Sequence, residues 1–446
     1  MLSIIAISAR FAKIPLFQDM DPRVRGRAYA KEAMQLLQEN LIRPSLMTIQ
    51  ACILLSQYLG SEGDVKGKHI YIGLAMLHSQ AIRLWEMTRQ SNTVSREVCR
   101  RTWLSVVICD RWSAADMATS PTYSKKYKDN FPLLDEKEFV ELSSSSNGLR
   151  EILNPSGNGL WAQMAKTIDT FRRISEMIYS LGSNSTSASV QEENVVGLAG
   201  QLDTWASELP QRLIYTTENL EYFSDEGFGK TFLAMHIGYH HFRQLLYFPF
   251  LDSLRRSSNS RHLTYVELCK TNAMHVSNIA DVSFRSNSCH LLYYIIGHIL
   301  VVSSGVHLHT LLFSNPQEAE QARGHLVSNF EILMRLKTYW PVIDVSVSRL
   351  RTFQDDCRKS MTDPFTLDNW MLKFLIEHSA VLDSDRWQLP ESGSDSDGQS
   401  PNMKAIEPME STKAEGNTLG SLTALVNDKD LSNDALVENA LSWLLD

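Results

Sequence analysis

Between Cys99 and Trp112 the chain places charged side chains inside a stretch that is otherwise apolar enough to be buried. At a helical pitch, Cys99, Trp103, Val106, Val107 and Asp110 fall on one face, so Asp110 enters the interior with its apolar neighbours. A buried carboxylate is costly unless it is paired and hydrogen-bonded. Arg100, Arg101 and Arg111 are the adjacent cations able to satisfy it. The pattern predicts an internal ion pair that clamps a helical core, and does not resemble a catalytic dyad.

The same periodicity runs through the chain. Ile70, Leu74, Leu77, Ala81 and Leu84 form a predicted core stripe, as do Met164, Ile168, Phe171, Ile174 and Ile178. Leu233, Ile237 and Leu245 continue it, followed by Leu326, Phe330 and Leu333 before Trp340-Pro341. No series of alternating strands is found. Prolines and glycines such as Pro44, Gly60, Pro121, Gly182, Pro210, Pro249, Pro316 and Pro341 mark helix ends. The expected fold is all-α, an irregular multi-helix domain of about a dozen helices. The apolar N-terminus Met1–Ala9 lacks a basic leader and reads as the first core helix, not as a signal peptide. Leu291–Val302 is the most apolar run, but at about a dozen residues it is short of the roughly 20 a membrane span needs, so it reads as a buried helix.

Charge divides the chain. Asp383–Asp446 holds 13 acidic and 4 basic residues, a net of −9, against −8 for the whole. The remainder is nearly neutral, which argues against gripping nucleic acid through an overall positive field. Ser143–Gly148 and Gly182–Ser189 read as surface loops, and Ser392–Asn402 opens a polar linker. The expected organisation is a helical domain over 1–390, a disordered linker over 391–418 and an acidic amphipathic helix over 419–446. In that last segment Val437, Leu441, Leu444 and Leu445 share a face and Trp443 adds an anchor, a pattern suited to docking in a partner's groove.

Chemical motifs are sparse. Six scattered cysteines without a C-x-x-C pair read as reduced core thiols. His236 and His240 have H-x-x-x-H spacing with His241 beside them, but no intervening Glu or third ligand accompanies them, and His298, His307 and His309 are read the same way, as packed core histidines. Gly63–His69 has glycines and Lys68 but is one residue short of a phosphate loop and follows no strand. Ser124–Lys128 and Arg255, Arg256 and Arg261 are small basic clusters read as solvated loops. No nucleophile elbow is present, and the expectation is a protein without catalytic or metal residues of its own.

Several blocks, taken in order, resemble the regulatory (middle homology) domain of fungal binuclear-zinc-cluster transcription factors. Ile5–Phe11, ending in Arg10 and Phe11, resembles the family's opening A-x-S/A-A-R-F helix. Ile49–Leu59 and Gly73–Leu84 resemble its following helix pair, and Arg100-Arg101-Thr102-Trp103 through Asp110-Arg111 its R-R-x-W…D-R helix. Phe131-Pro132-Leu133 follows in the family's place for L-P, then Trp205 through Leu209-Pro210. Tyr239-His240 through Pro249-Phe250 resembles Y-H…R-P-F, with Phe248 where the family has Arg. Met334 through Tyr339-Trp340-Pro341 resembles the late Y-W-P block.

The resemblance covers about residues 1 to 385 and implies a nuclear regulator of RNA polymerase II transcription. It implies a homo- or heterodimer, often sensing a small-molecule effector, with the tail as an activation segment touching a coactivator. An effector site is expected between the helices spanning His236 to His309. The family's zinc cluster lies upstream of such a domain, and two C-x-x-C-x(6)-C halves do not occur here. The expectation is therefore either a piece of a longer product or a regulator that acts by dimerising with full-length relatives, with a helical ligand- or metal-binding protein or enzyme using the interior between His236 and His309 as the remote alternative. Zinc and direct DNA contact are assigned to no residue of this sequence.

Overall fold

The computed structural model describes residues 1–86, 93–123, 133–144, 156–182, 188–252, 260–286, 288–359, 365–379 and 382. Phe131, Pro132, Ser124–Lys128, Arg255, Arg256, the linker and the acidic segment with Val437, Leu441, Trp443 and Leu444 lie outside them. Among the described residues there are fifteen α-helices and no strand.

The first five helices form an N-terminal layer: α1 (Leu2–Ser8), α2 (Arg27–Glu39), α3 (Leu46–Ser61), α4 (Val65–Ala81) and α5 (Thr93–Asp116). α3 packs on α4 and α4 on α5, burying Ile49, Cys52, Leu55, Ile72, Met76, Trp103 and Val106 between them. Local chemistry sets the helix starts. Ser45 caps α3 by accepting from the Thr48 amide, and Asp64 caps α4 by accepting from that of Gly67. Between them Gly63 takes the turn at φ +84°, where a side chain would be strained. Gly26 opens α2 so close to α1 that a Cβ there would lie 1.9 Å from the Ala6 carbonyl oxygen.

α6 (Glu136–Ser144), α7 (Leu160–Gly182), α8 (Ala188–Ser207) and α9 (Thr217–Asp225) lead into α10 (Gly229–Tyr247) and α11 (Ser260–Arg285). α12 (Ile295–Phe313), α13 (Pro316–Lys337), α14 (Val342–Lys359) and α15 (Asn369–Ile376) complete the chain order. α12 is the centre of the larger core: every residue from Ile296 to Leu311 is buried, against α13, α14 and α11. It is the one helix among the described residues long and apolar enough to cross a membrane, and the protein itself encloses it. Asn315 caps α13, with Pro316 at the first position where its missing N–H costs nothing.

Three predicted stripes line the core: Ile168 to Ile178, Leu233 to Leu245 and Leu326 to Leu333 are buried, with Met164 partly so. The stripe on α4 does not. Ile70 and Leu77 are each 60% exposed, and Leu74 is half-buried. α4 instead turns inward the face carrying Lys68, Ile72, Ala75, Met76 and Ser79. On that face Lys68 meets the buried Asp116 carboxylate, so its charge is paired in the interior.

Candidate functional site

The motif residues gather into three clusters. In the first, α1 runs into a 3₁₀ turn, Ala9–Phe11, that carries Arg10 into the interior. Arg10 donates to the Tyr339 carbonyl at 2.8 Å and to Glu62 at 2.5 Å, and its guanidinium lies 4.8 Å from the Trp340 ring and 5.2 Å from that of Tyr58. Phe11 packs on Tyr339 and Trp340, with centroids at 4.8 and 5.5 Å. Trp340 donates through Nε1 to the Leu292 carbonyl at 2.8 Å, and Pro341 precedes α14. Two blocks far apart in sequence are thereby joined by a buried cation, its carboxylate and four aromatic rings.

The second cluster is α5. Asp110 and Arg111 are both buried, joined at 3.1 Å, and Arg111 also reaches Asp169 on α7 at 3.4 Å. The Asp110 carboxylate accepts the amides of Thr122 and Tyr123 at 3.1 and 3.2 Å, folding the chain after α5 back against it. Tyr123 then packs edge-on against Trp103 at 5.1 Å. Arg101 serves another acid, Glu97, at 2.8 Å, and also donates to the Leu134 carbonyl at 2.9 Å. Burial pushes the Glu97 carboxyl upward, against the pull of Arg101 and Arg100. Of the three arginines expected near Asp110, Arg111 binds it, while Arg101 pairs with Glu97 one turn back.

The third cluster joins α8 to α10. Trp205 donates to the Gln163 carbonyl at 3.1 Å and stacks on Tyr239 at 5.1 Å. Tyr239 accepts from Arg243 at 3.1 Å. Pro210 precedes the 3₁₀ turn Gln211–Leu213, and Pro249 is buried in the turn Phe248–Leu251. Phe248 is also fully buried there, facing Phe353.

The histidines take separate partners. His236 Nε2 pairs with the Leu213 carbonyl at 2.9 Å, and His240 Nδ1 with Asn272 at 2.9 Å. His241 Nδ1 accepts from Gln244 at 2.9 Å. His307 meets Ser277 at 2.9 Å, His298 faces the Leu375 carbonyl at 3.2 Å, and His309 packs on Phe365. Among the described residues no group of three or more His, Cys, Asp or Glu side chains is placed to hold a metal ion. All six cysteines are free thiols, and burial pushes Cys52 and Cys109 up to about 12.

A fourth cluster has no counterpart in the sequence reading. Lys68 and Asp116 pair at 2.8 Å in the interior, and Lys68 Nζ lies 2.6 Å from His378 Nε2. Asp116 also accepts the amides of His378 and Ser379 at 2.7 and 2.9 Å, holding the chain beyond α15 against the end of α5. Despite burial, His378 and Lys68 hold the Asp116 carboxyl far below the carboxylate range. Lys68 falls in the glycine-containing segment Gly63–His69, where it serves as a core cation.

A pocket of about 510 Å³ lies beside the first cluster, between the Ala12–Arg25 loop and the turn after α13, away from the helices carrying His236 to His309.

Residues 1–207 match the model of the fungal specific transcription factor domain. Over that stretch the chain is similar to this domain. A Zn(2)-C6 fungal-type transcription factor of Fusarium oxysporum f. sp. lycopersici is 23% identical over 387 residues, covering 79% of this chain and 41% of the relative. Activator of stress genes 1 of Saccharomyces cerevisiae is 23% identical over 268 residues, covering 58% and 27%. A transcriptional regulatory protein of Schizosaccharomyces pombe is 24% identical over 267 residues, covering 54% and 27%. The chain thus spans less than half the length of these relatives. No solved structure matches it. The matched fungal specific transcription factor domain contains α1 to α8, with Arg10, Asp110, Arg111 and Trp205, while Tyr239, Tyr339 and Trp340 follow it.

Proposed function

We propose that this chain is the regulatory part of a fungal transcription regulator, acting in the nucleus on RNA polymerase II transcription. The observation that carries the reading is the match of residues 1–207 to the fungal specific transcription factor domain. The geometry agrees with a regulatory body: its buried charges tie helices to one another, as Arg10 ties α1 to the turn before α14 and Asp116 ties α5 to the chain beyond α15. In this reading DNA is reached through a zinc cluster that no residue of this sequence forms, either on the same polypeptide or on a dimer partner. The acidic segment containing Val437, Leu441, Trp443 and Leu444 contacts a coactivator. The proposal includes no reaction.

The test fuses the chain to a heterologous DNA-binding domain and reads a reporter in a fungal cell. The expected result is a changed reporter level that falls toward baseline when residues 419–446 are removed. A fusion that is nuclear and promoter-bound but leaves transcription unaltered would overturn the proposal.

A further inference from the structure

The pocket beside Arg10 has a one-sided electrostatic character. Arg10, Lys13 and Arg25 are among its lining residues, and no Asp or Glu is. Arg25 donates to the carbonyls of Met20, Ala12 and Phe17 at 2.9, 3.0 and 2.9 Å and to that of Arg10 at 3.4 Å. These bonds shape the loop around the pocket but leave the Arg25 charge unneutralised by any carboxylate among the described residues. Lys13 is exposed at the pocket and makes no ion pair among the described residues. Arg10 is fully buried, and its charge is already met by Glu62 at 2.5 Å, so Lys13 and Arg25 supply the pocket's open positive charge.

The remaining wall is apolar. Phe11 packs on Tyr339, Phe17 lies under the Arg25 guanidinium at 5.7 Å, and Ile14 is 46% exposed at the rim. The volume lies in the range of small-molecule sites, roughly 300–1,000 Å³. Cations above an apolar wall select a ligand with an anionic head and an apolar body.

We infer that this pocket is a binding site for a small organic carboxylate with an aromatic or branched aliphatic body. The inference does not rest on the transcription reading, because binding is measured without a promoter. A bound molecule would bridge the N-terminal loop and the turn before α14, the same two segments that Arg10 joins.

Isothermal titration of the full chain with 2-naphthoate and with neutral 2-naphthalenemethanol tests it. The naphthoate is expected to bind about tenfold more tightly than the alcohol, the difference a single charge contact gives near a protein surface. Lys13→Glu is expected to weaken naphthoate about tenfold and leave the alcohol unchanged. Ile14→Trp is expected to weaken both by filling the rim. Both substitutions are at solvent-facing positions, and a thermal melt confirms that the variants fold. Equal affinity for acid and alcohol, wild-type affinity in Lys13→Glu, or a naphthoate Kd weaker than about 1 mM would each overturn the inference.

Discussion

Acid should unfold this protein through its histidines before its carboxylates are reached. Burial lowers His236 to about 4 and His240, His241, His307 and His378 each to about 3, and it carries His298 well below the usual imidazole range. These six rings stay neutral in the folded chain, whereas in the unfolded chain each takes a proton with a pKa of about 6.5. Stability is therefore fully present above that value and falls as pH drops through it. Glu377 works in the opposite direction: burial holds it at about 7, so the folded state keeps a proton that the unfolded state releases. The histidines outnumber it. Unfolding takes up a net of about 2 protons near pH 6.5 and about 4 near pH 5.5, or about 3 and 6 kcal/mol per pH unit. Global stabilities are commonly only 5–15 kcal/mol, so the steeper segment alone removes much of that reserve. Urea unfolding followed by circular dichroism at about pH 7, 6 and 5 measures the loss and its steepening. A total change below about 1 kcal/mol over that interval would refute the claim that these rings are buried and neutral.

Other variants probe the buried charges and the close approaches. Asp116→Asn leaves Lys68 without its anion and should cost about 3–5 kcal/mol in denaturant melts, while adding Lys68→Met should recover part of the loss. A double variant no more stable than Asp116→Asn would show that the pair is not coupled. Gly26→Ala forces α1 and α2 apart against backbone and should cost about 3 kcal/mol, read as a lowered Tm; an unchanged Tm would contradict that packing. A fragment ending at residue 207 strips α10 and α15 from α7 and should lack a cooperative thermal transition. A sharp two-state melt of that fragment would show that the core is divisible there.

Much of the helical framework could be read from periodicity because α7, α10 and α13 bury faces made of ordinary apolar residues. Asp110 was legible for a related reason, since a lone carboxylate on a greasy face must acquire a partner. α4 was misread because two of its faces carry large apolar side chains, and the one turned inward is where Lys68 meets Asp116, 48 residues away. Nothing local to either residue announces the other. The Arg10 contact was hidden more deeply, for its acceptor is the Tyr339 carbonyl, a group every residue has. The pocket likewise needs two distant segments side by side, and so its cations read in sequence as unrelated surface charges.

The bond from Arg10 to Tyr339 also imposes an order in time. Its partners are 329 positions apart, so at ribosomal speeds of about 5–20 residues per second some 16–66 s separate their synthesis. Throughout that interval Arg10 has Glu62 and the Tyr58 ring within reach but lacks the Tyr339 carbonyl and the Trp340 ring that complete its seat. The covering of Phe11 by Tyr339 and Trp340 is thus among the late events of folding, and a stalled or shortened polypeptide displays the bare Phe11 ring to whatever quality-control machinery meets it.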